Sequence, residues 1–335
     1  ILCTSNHNSI FKFQNIRVIQ CKELFSLSNN VFSYDFYKIF KKICNNYDYI
    51  HIHYPYPFAD LTVFLNKKKI KSKIILTYHS DIIKQKFLKK FYLFFFQNFF
   101  SKYISLVNVS SNLYLDNSES KKYFSSNQNF FIQKLGLKDN LNYDTEVLQN
   151  ESLREFYKKN KKISFFMARD RHYKGFDRLK FVLEKNKDKA FIVCTKNSKI
   201  KKYCENKKNI YYIDSCNNVE KYFILKNSYI HIFTSDNRAE SFGIILLECQ
   251  MFGVPSIVFN IKTGVNSIIQ DNINGISVNL DNARFNENFQ KLYKDETLRK
   301  KLSENARLNY EQNFSLNNFE NYYKLLLNEI PLEKN

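Results

Sequence analysis

The 335-residue chain predicts an α/β protein made of two open parallel sheets in tandem. Short apolar runs alternate with longer helical patterns along the whole chain, as parallel strands with crossover helices require. The length also exceeds what one hydrophobic core comfortably fills, so two domains of about 150 residues are expected.

In the first half, strands are expected near Ile1–Thr4, Ile16–Gln20, Tyr49–His53, Ile74–Tyr78, Ile104–Val109 and Phe130–Lys134. Helical patterns lie between them, such as Tyr34–Cys44 and Gln85–Phe100. Gly136–Asp144 is polar and aperiodic and makes the best linker. The second half repeats the scheme, with strands at Ile163–Ala168, Ala190–Cys194, Ile210–Ile213, Ile230–Thr234 and Pro255–Phe259. It closes on helical segments at Thr297–Asn309 and Leu316–Asn328. The expected domains are therefore 1–137 and 138–312, followed by a C-terminal helix over 313–335. Two open sheets of this kind place ligands at the carboxyl ends of strands, in the cleft between the halves.

Composition narrows the class further. Hydrophobic residues make up 44% of the chain, enough for packed interiors, and the formal charge is +20. Most basic residues are lysine, whereas arginine is favoured for bidentate phosphate reading. A solvated lysine surface explains the charge; a nucleic-acid or anionic-membrane footprint is the rival explanation. The seven cysteines are odd in number, lack metal-like spacing and sit mostly in apolar runs, which suits a reducing cytoplasm. Without a signal peptide or an 18-residue apolar span, a soluble or peripheral cytoplasmic protein is expected. Ile1 falls inside an apolar strand-like run without a starting Met, so a missing N-terminal piece is also expected.

The most informative segment runs from Ser235 to Pro255. A strand ends near Ser235, a loop carries Glu240, and a helix starts near Gly243 and stops at Gly253 and Pro255. From Ser241 to Ile261 the only charge is Glu248. A lone carboxylate in such a helix costs several kcal/mol unless it gains partners. A ligand diol could supply them, because a carboxylate accepts from two adjacent hydroxyls. A neighbouring backbone group or an arginine inside the protein could do so equally well. The helix start at Gly243 offers free N–H groups to an anion. A second constellation, Arg169-Asp170-Arg171-His172-Tyr173-Lys174-Gly175, puts basic side chains between a strong apolar strand and a helix start, as a phosphate site would.

Together these residues resemble a known family. Glu240 and Glu248, set within Arg-Ala-Glu-Ser-Phe-Gly, Leu-Leu-Glu and Gly-Val-Pro, are similar to the signature of GT-B glycosyltransferases of family 4. Arg169 and Lys174-Gly175 match its diphosphate-binding pair, and Asp271-Asn272-Ile273-Asn274-Gly275 resembles a further loop. So do Asp48–His53 and Thr77–Ile82 in the first half. The resemblance runs from about Ile50 to Val278 and is strongest to transferases of bacterial O-antigen and capsule assembly, several of them mannosyltransferases.

The resemblance implies two Rossmann-like domains facing across a cleft, with C-terminal helices that can cross back to the first domain. It implies a retaining transfer from a GDP- or UDP-linked sugar to a hydroxyl of a glycan or polyprenyl-diphosphate-linked acceptor, without a metal or other cofactor. Arg169 and Lys174 would neutralise the diphosphate, and Glu248 would hold the ribose. Glu240 would lie by the transferred sugar, with backbone N–H groups of Phe242, Gly243 and Ile244 presented to the donor. His79 would contact the sugar from the first domain. Two departures stand out: Cys194-Thr195-Lys196-Asn197 replaces a usual Gly-rich turn, and Ile1 aligns with the family's second strand.

Two further patterns carry alternatives. His51, His53 and His79 could suggest a metal, but no carboxylates cluster with them, and cleft or core histidines fit better. The stretch Lys84–Phe96 joins lysines to aromatics and reads either as an interfacial helix on anionic lipid or as a buried helix with one solvated edge. Rival functions are a nucleotide-sugar 2-epimerase of the same architecture, a transferase too short to turn over, and a non-catalytic basic binding protein; no nucleic-acid partner is expected.

Overall fold

The computed structural model describes residues 1–27, 30–82, 86–119, 121–124 and 128–330. The chain separates into two units, Ile1–Gln133 with Tyr323–Asn335, and Lys134–Tyr322.

The first unit holds β1 (Leu2–Ser5), β2 (Ser9–Phe13), β3 (Ile16–Lys22), β4 (Phe25–Leu27), β5 (Asn30–Phe32), β6 (Tyr49–Tyr54), β7 (Lys73–Tyr78), β8 (Leu106–Val109) and β9 (Phe130–Ile132). Strands β6-β7-β8-β9 form one wholly parallel sheet in chain order. Their period-2 alternation sends Ile52, Tyr54, Leu76, Tyr78, Val107 and Val109 into one core, with Phe36, Phe40, Ala59 and Val63 from the helices Tyr34–Ile43 and Pro57–Asn66. On the other face, Ile75 and Leu106 pack with Leu326 and Ile330, so the chain's last turns return to this sheet. Each such fully buried side chain contributes roughly 1.5–3 kcal/mol relative to exposure.

Two hairpins depart from the expected parallel alternation. Strand β3 pairs parallel with β1 but antiparallel with β2, and β4 pairs antiparallel with β5. The β2–β3 turn is the two residues Gln14 and Asn15, both at positive φ, as a tight hairpin needs. It lacks the Asn-Gly pair that signals such a turn, and β2 is mostly exposed, so no apolar alternation marks it either.

Lys86–Phe95 is helical, with Leu93 buried and Phe91 and Phe94 exposed. Lys89 pairs with Glu119, and Lys84 lies outside the described residues. No helix among the described residues is long and apolar enough to cross a membrane.

The second unit contains β10 (Ile163–Met167), β11 (Ala190–Cys194), β12 (Ile210–Ile213), β13 (Ile230–Phe233), β14 (Ser256–Phe259) and β15 (Gly275–Val278). They form one parallel sheet in the order β12-β11-β10-β13-β14-β15. Counted from its first strand the order is 3-2-1-4-5-6, which reverses direction between β10 and β13. Strands this thoroughly buried on both faces read as continuous apolar runs, which is why the sequence marked them so clearly. A ligand crevice is expected beyond the carboxyl ends of β10 and β13.

Candidate active site

The loops after β10 and β13 lie on either side of that switch point, and they carry most of the expected site residues. After β10 the chain runs through exposed Arg169 into a single helical turn, His172–Lys174, and then Gly175. Gly175 takes φ +64°, and a Cβ there would fall 1.9 Å from the Thr234 carbonyl oxygen. Only glycine allows the two loops to approach so closely. The seam is stitched by the Thr234 hydroxyl donating to the Lys174 carbonyl (2.8 Å) and the Asp236 N–H donating to the Tyr173 carbonyl (3.2 Å). Arg178, on the helix Phe176–Lys185, adds an ion pair to Asp236 at 3.2 Å and a bond to Asn282 at 2.7 Å.

This seam brings Lys174 onto Glu240, and the two form an ion pair with little solvent contact. The Ser235 hydroxyl also donates to the same carboxylate, at 2.8 Å. Burial, with the Glu240 charge adding to it, raises the Tyr173 phenol above its ordinary value. Below this cluster His231 is wholly buried against Phe165 and Ser256. Burial, reinforced by Lys174, holds its imidazole neutral with a pKa of about 3.

The next helix, Ile244–Met251, starts from Gly243 at φ +84°, and no side chain caps its first N–H groups. Ile244 is exposed at that end, whereas the Phe242 ring is buried against Phe314. Phe242 therefore offers the site its backbone, its side chain being part of the core. Gly264 donates to the Ser241 carbonyl at 2.9 Å and has no room for a Cβ, which fixes the approach to the helix.

Glu248 sits one turn further along and is not left alone. Lys221, from the helix Asn218–Asn227, reaches its carboxylate at 2.7 Å. Burial pulls the Lys221 ammonium down, but Glu248 outweighs it and holds the group above its usual value. Among the described residues, Lys221 thus supplies the carboxylate with one partner. Lys221 and Arg178 were not legible as site residues, since no local motif distinguishes them among so many polar residues.

In the first unit, His79 follows β7, and its Nε2 lies 2.7 Å from His53 Nδ1. His53 stacks in turn on His51, which bonds Thr77 at 2.5 Å and Tyr323 at 3.3 Å. Burial, then the neighbouring imidazoles, lowers His51 to about 4. Burial also lowers His53 and His79. Among the described residues no group of three or more His, Cys, Asp or Glu is arranged to hold a metal ion.

A doubly wound sheet with basic and acidic loops meeting at its switch point has the layout in which open α/β folds place ligands. Residues 149–309 match the family described as "Glycosyl transferases group 1", and the protein is a glycosyltransferase with the GT-B fold. The chain is 28% identical to O-antigen chain mannosyltransferase C of Escherichia coli over 94% of its length and 85% of that protein. It is 27% identical to the D-rhamnosyltransferase WbpZ of Pseudomonas aeruginosa over 94% of its length and 82% of that protein. In fold it is similar to Anabaena HepE crystallised with UDP and glucose, with a TM-score of 0.72 and 13% identity, covering 94% and 87% of the two chains.

Proposed function

We propose that the protein transfers a sugar, with retention, from a GDP- or UDP-linked donor to a hydroxyl of a glycan or polyprenyl-diphosphate-linked acceptor during assembly of a surface polysaccharide. The observation that carries the proposal is the meeting of Lys174, Glu240 and the uncapped helix start at Gly243 in the crevice of one unit. Anionic diphosphate suits such a place, because uncapped helix N–H groups and basic side chains both attract anions. The mannosyl and rhamnosyl transferases among the relatives favour an O-antigen sugar, and the UDP and glucose of the HepE crystal support a nucleotide sugar as donor.

In this reading Arg169 and Lys174 neutralise the departing diphosphate, and the N–H groups at Gly243 and Ile244 hold it. Glu248 keeps Lys221 on one oxygen and accepts from the ribose hydroxyls with the rest of its lone pairs. Glu240 orients the transferred sugar, beside the backbone of Phe242, and His79 is assigned a catalytic role. As the bond from the anomeric carbon to the diphosphate breaks, the acceptor hydroxyl attacks the same face. Its proton passes to the leaving phosphate oxygen. The reading is metal-independent, with catalysis by positioning and by stabilising charge on the leaving group. Work at a cytoplasmic membrane face would suit a lipid-linked acceptor.

Thermal-shift measurements with UDP, GDP and their sugars, followed by turnover with a lipid-linked acceptor, test this. A ligand bound only by the folded state raises the melting temperature. A rise with one nucleotide class and release of that diphosphate on acceptor addition is expected. No shift with any of them would refute the proposal.

A further inference from the structure

Three sulfur atoms gather at the edge of the candidate nucleotide site. Cys194 closes β11 and pairs in register with Met167 at the end of β10, so both side chains leave the same face of the sheet. Cys216 belongs to the loop between β12 and the helix Asn218–Asn227. Its Sγ lies 3.6 Å from Cys194 Sγ and 3.8 Å from Met167 Sδ. A disulfide requires about 2.05 Å between sulfurs, so a loop adjustment of about 1.5 Å closes the gap.

The two thiols differ in access and reactivity. Cys194 is buried, while Cys216 keeps partial contact with solvent. The S–H of Cys194 bonds to Cys216, which lowers the Cys216 thiol and raises that of Cys194, burial adding to the latter. An accessible, more acidic thiol beside a buried one suits an attacking and a resolving cysteine.

We propose that Cys194 and Cys216 are a reversible thiol–disulfide pair that closes nucleotide access when oxidised by a peroxide. The Cys216 thiolate attacks one peroxide oxygen and becomes a sulfenic acid, releasing hydroxide, or water once protonated. The Cys194 sulfur then attacks the sulfenic sulfur, the S–S bond forms, and a second water leaves with the Cys194 proton. Two thiols are thereby oxidised by two electrons, and one peroxide is reduced to two waters. A dithiol reverses the step by exchange.

The consequences follow from what the two cysteines hold. The Cys194 carbonyl accepts from the Ala168 N–H at 3.0 Å, immediately before Arg169. Cys216 directly precedes Asn217, whose capping box with Glu220 starts the helix that presents Lys221 to Glu248. A bridge between them therefore pulls on both the diphosphate loop and the Lys221–Glu248 pair. This effect rests on the donor-site reading above; formation of the bridge does not.

The full chain is treated with hydrogen peroxide, its thiols are blocked, and peptides are mapped by mass spectrometry, with calorimetric titration of UDP and GDP before and after. The expected result is a 194–216 crosslinked peptide and at least a tenfold loss of diphosphate affinity, restored by dithiothreitol and absent in Cys216→Ser. Absence of that peptide, with oxidation falling on partly exposed Cys3 instead, would overturn the proposal, as would a crosslinked protein with unchanged affinity. A reduced protein that binds neither nucleotide would count against the donor-site reading, and the peptide map would still decide the thiol pair.

Discussion

Lys174 and Glu240 are 66 residues apart in the chain and form an ion pair across the seam between the loops after β10 and β13. Both side chains are largely shielded from water, and the Ser235 hydroxyl supports the carboxylate. Removing one partner leaves a poorly solvated charge, which costs about 3–5 kcal/mol. Lys174→Met should therefore lower unfolding free energy by about that amount, and adding Glu240→Gln should recover most of it. Urea melts of the two single variants and the double variant measure the coupling. Additive losses would mean that the pair does not form in solution.

Arg169 gives the complementary case. It is exposed and takes no ion pair among the described residues, so Arg169→Ala should leave the melting temperature unchanged. A charged hydrogen bond contributes about 1.5–3 kcal/mol, so diphosphate affinity should fall roughly ten- to a hundredfold. Calorimetry beside a melting scan separates the two effects. Equal affinity in variant and parent would remove Arg169 from the diphosphate site.

Gly175→Ala tests the seam itself. The substitution places a methyl group against the Thr234 carbonyl and forces a left-handed backbone on alanine. A loss of about 3 kcal/mol or more is expected, together with weaker diphosphate binding as the loop withdraws. An alanine variant as stable as the parent would show that the loops do not pack this closely.

The first unit offers a pH test. Asp60 is fully buried, bonded to the Tyr92 hydroxyl, and burial raises its pKa to about 7 against the hydrogen bond that lowers it. The folded state therefore keeps a proton that the unfolded chain releases near pH 4. Its contribution to stability is complete below that pH and is lost as pH rises through about 7. Melting temperature should decline over this interval in the parent more than in Asp60→Asn, which keeps the neutral form throughout. Parallel curves would show that Asp60 is ionised in the fold.

The second unit was legible because its strands are apolar on both faces and its loops end in recognisable glycines. Gly175 and Gly243 stand where positive φ and a close backbone approach leave no alternative. The hairpins of the first unit were not legible, since Gln14-Asn15 carries no glycine and β2 little apolar alternation. At the candidate site, Glu240, Glu248, Arg169 and Lys174 stood out in the sequence, but the pairings of Lys174 with Glu240 and of Glu248 with Lys221 did not. Glu248 was expected to lack a partner within its own helix, and its partner comes from 27 residues upstream. Contacts of that range depend on sheet order, which local pattern does not encode.

In the proposed reaction the second unit binds the donor nucleotide and Glu248 serves its ribose. Calorimetric titration of UDP and GDP into Glu248→Gln, against the parent, tests it most directly. The substitution keeps the shape and one acceptor oxygen, and Lys221 is partly exposed, so the fold should persist. Whichever diphosphate the parent prefers should bind at least tenfold more weakly to the variant, with a circular-dichroism spectrum like the parent's. Undiminished affinity in a folded Glu248→Gln variant would contradict it.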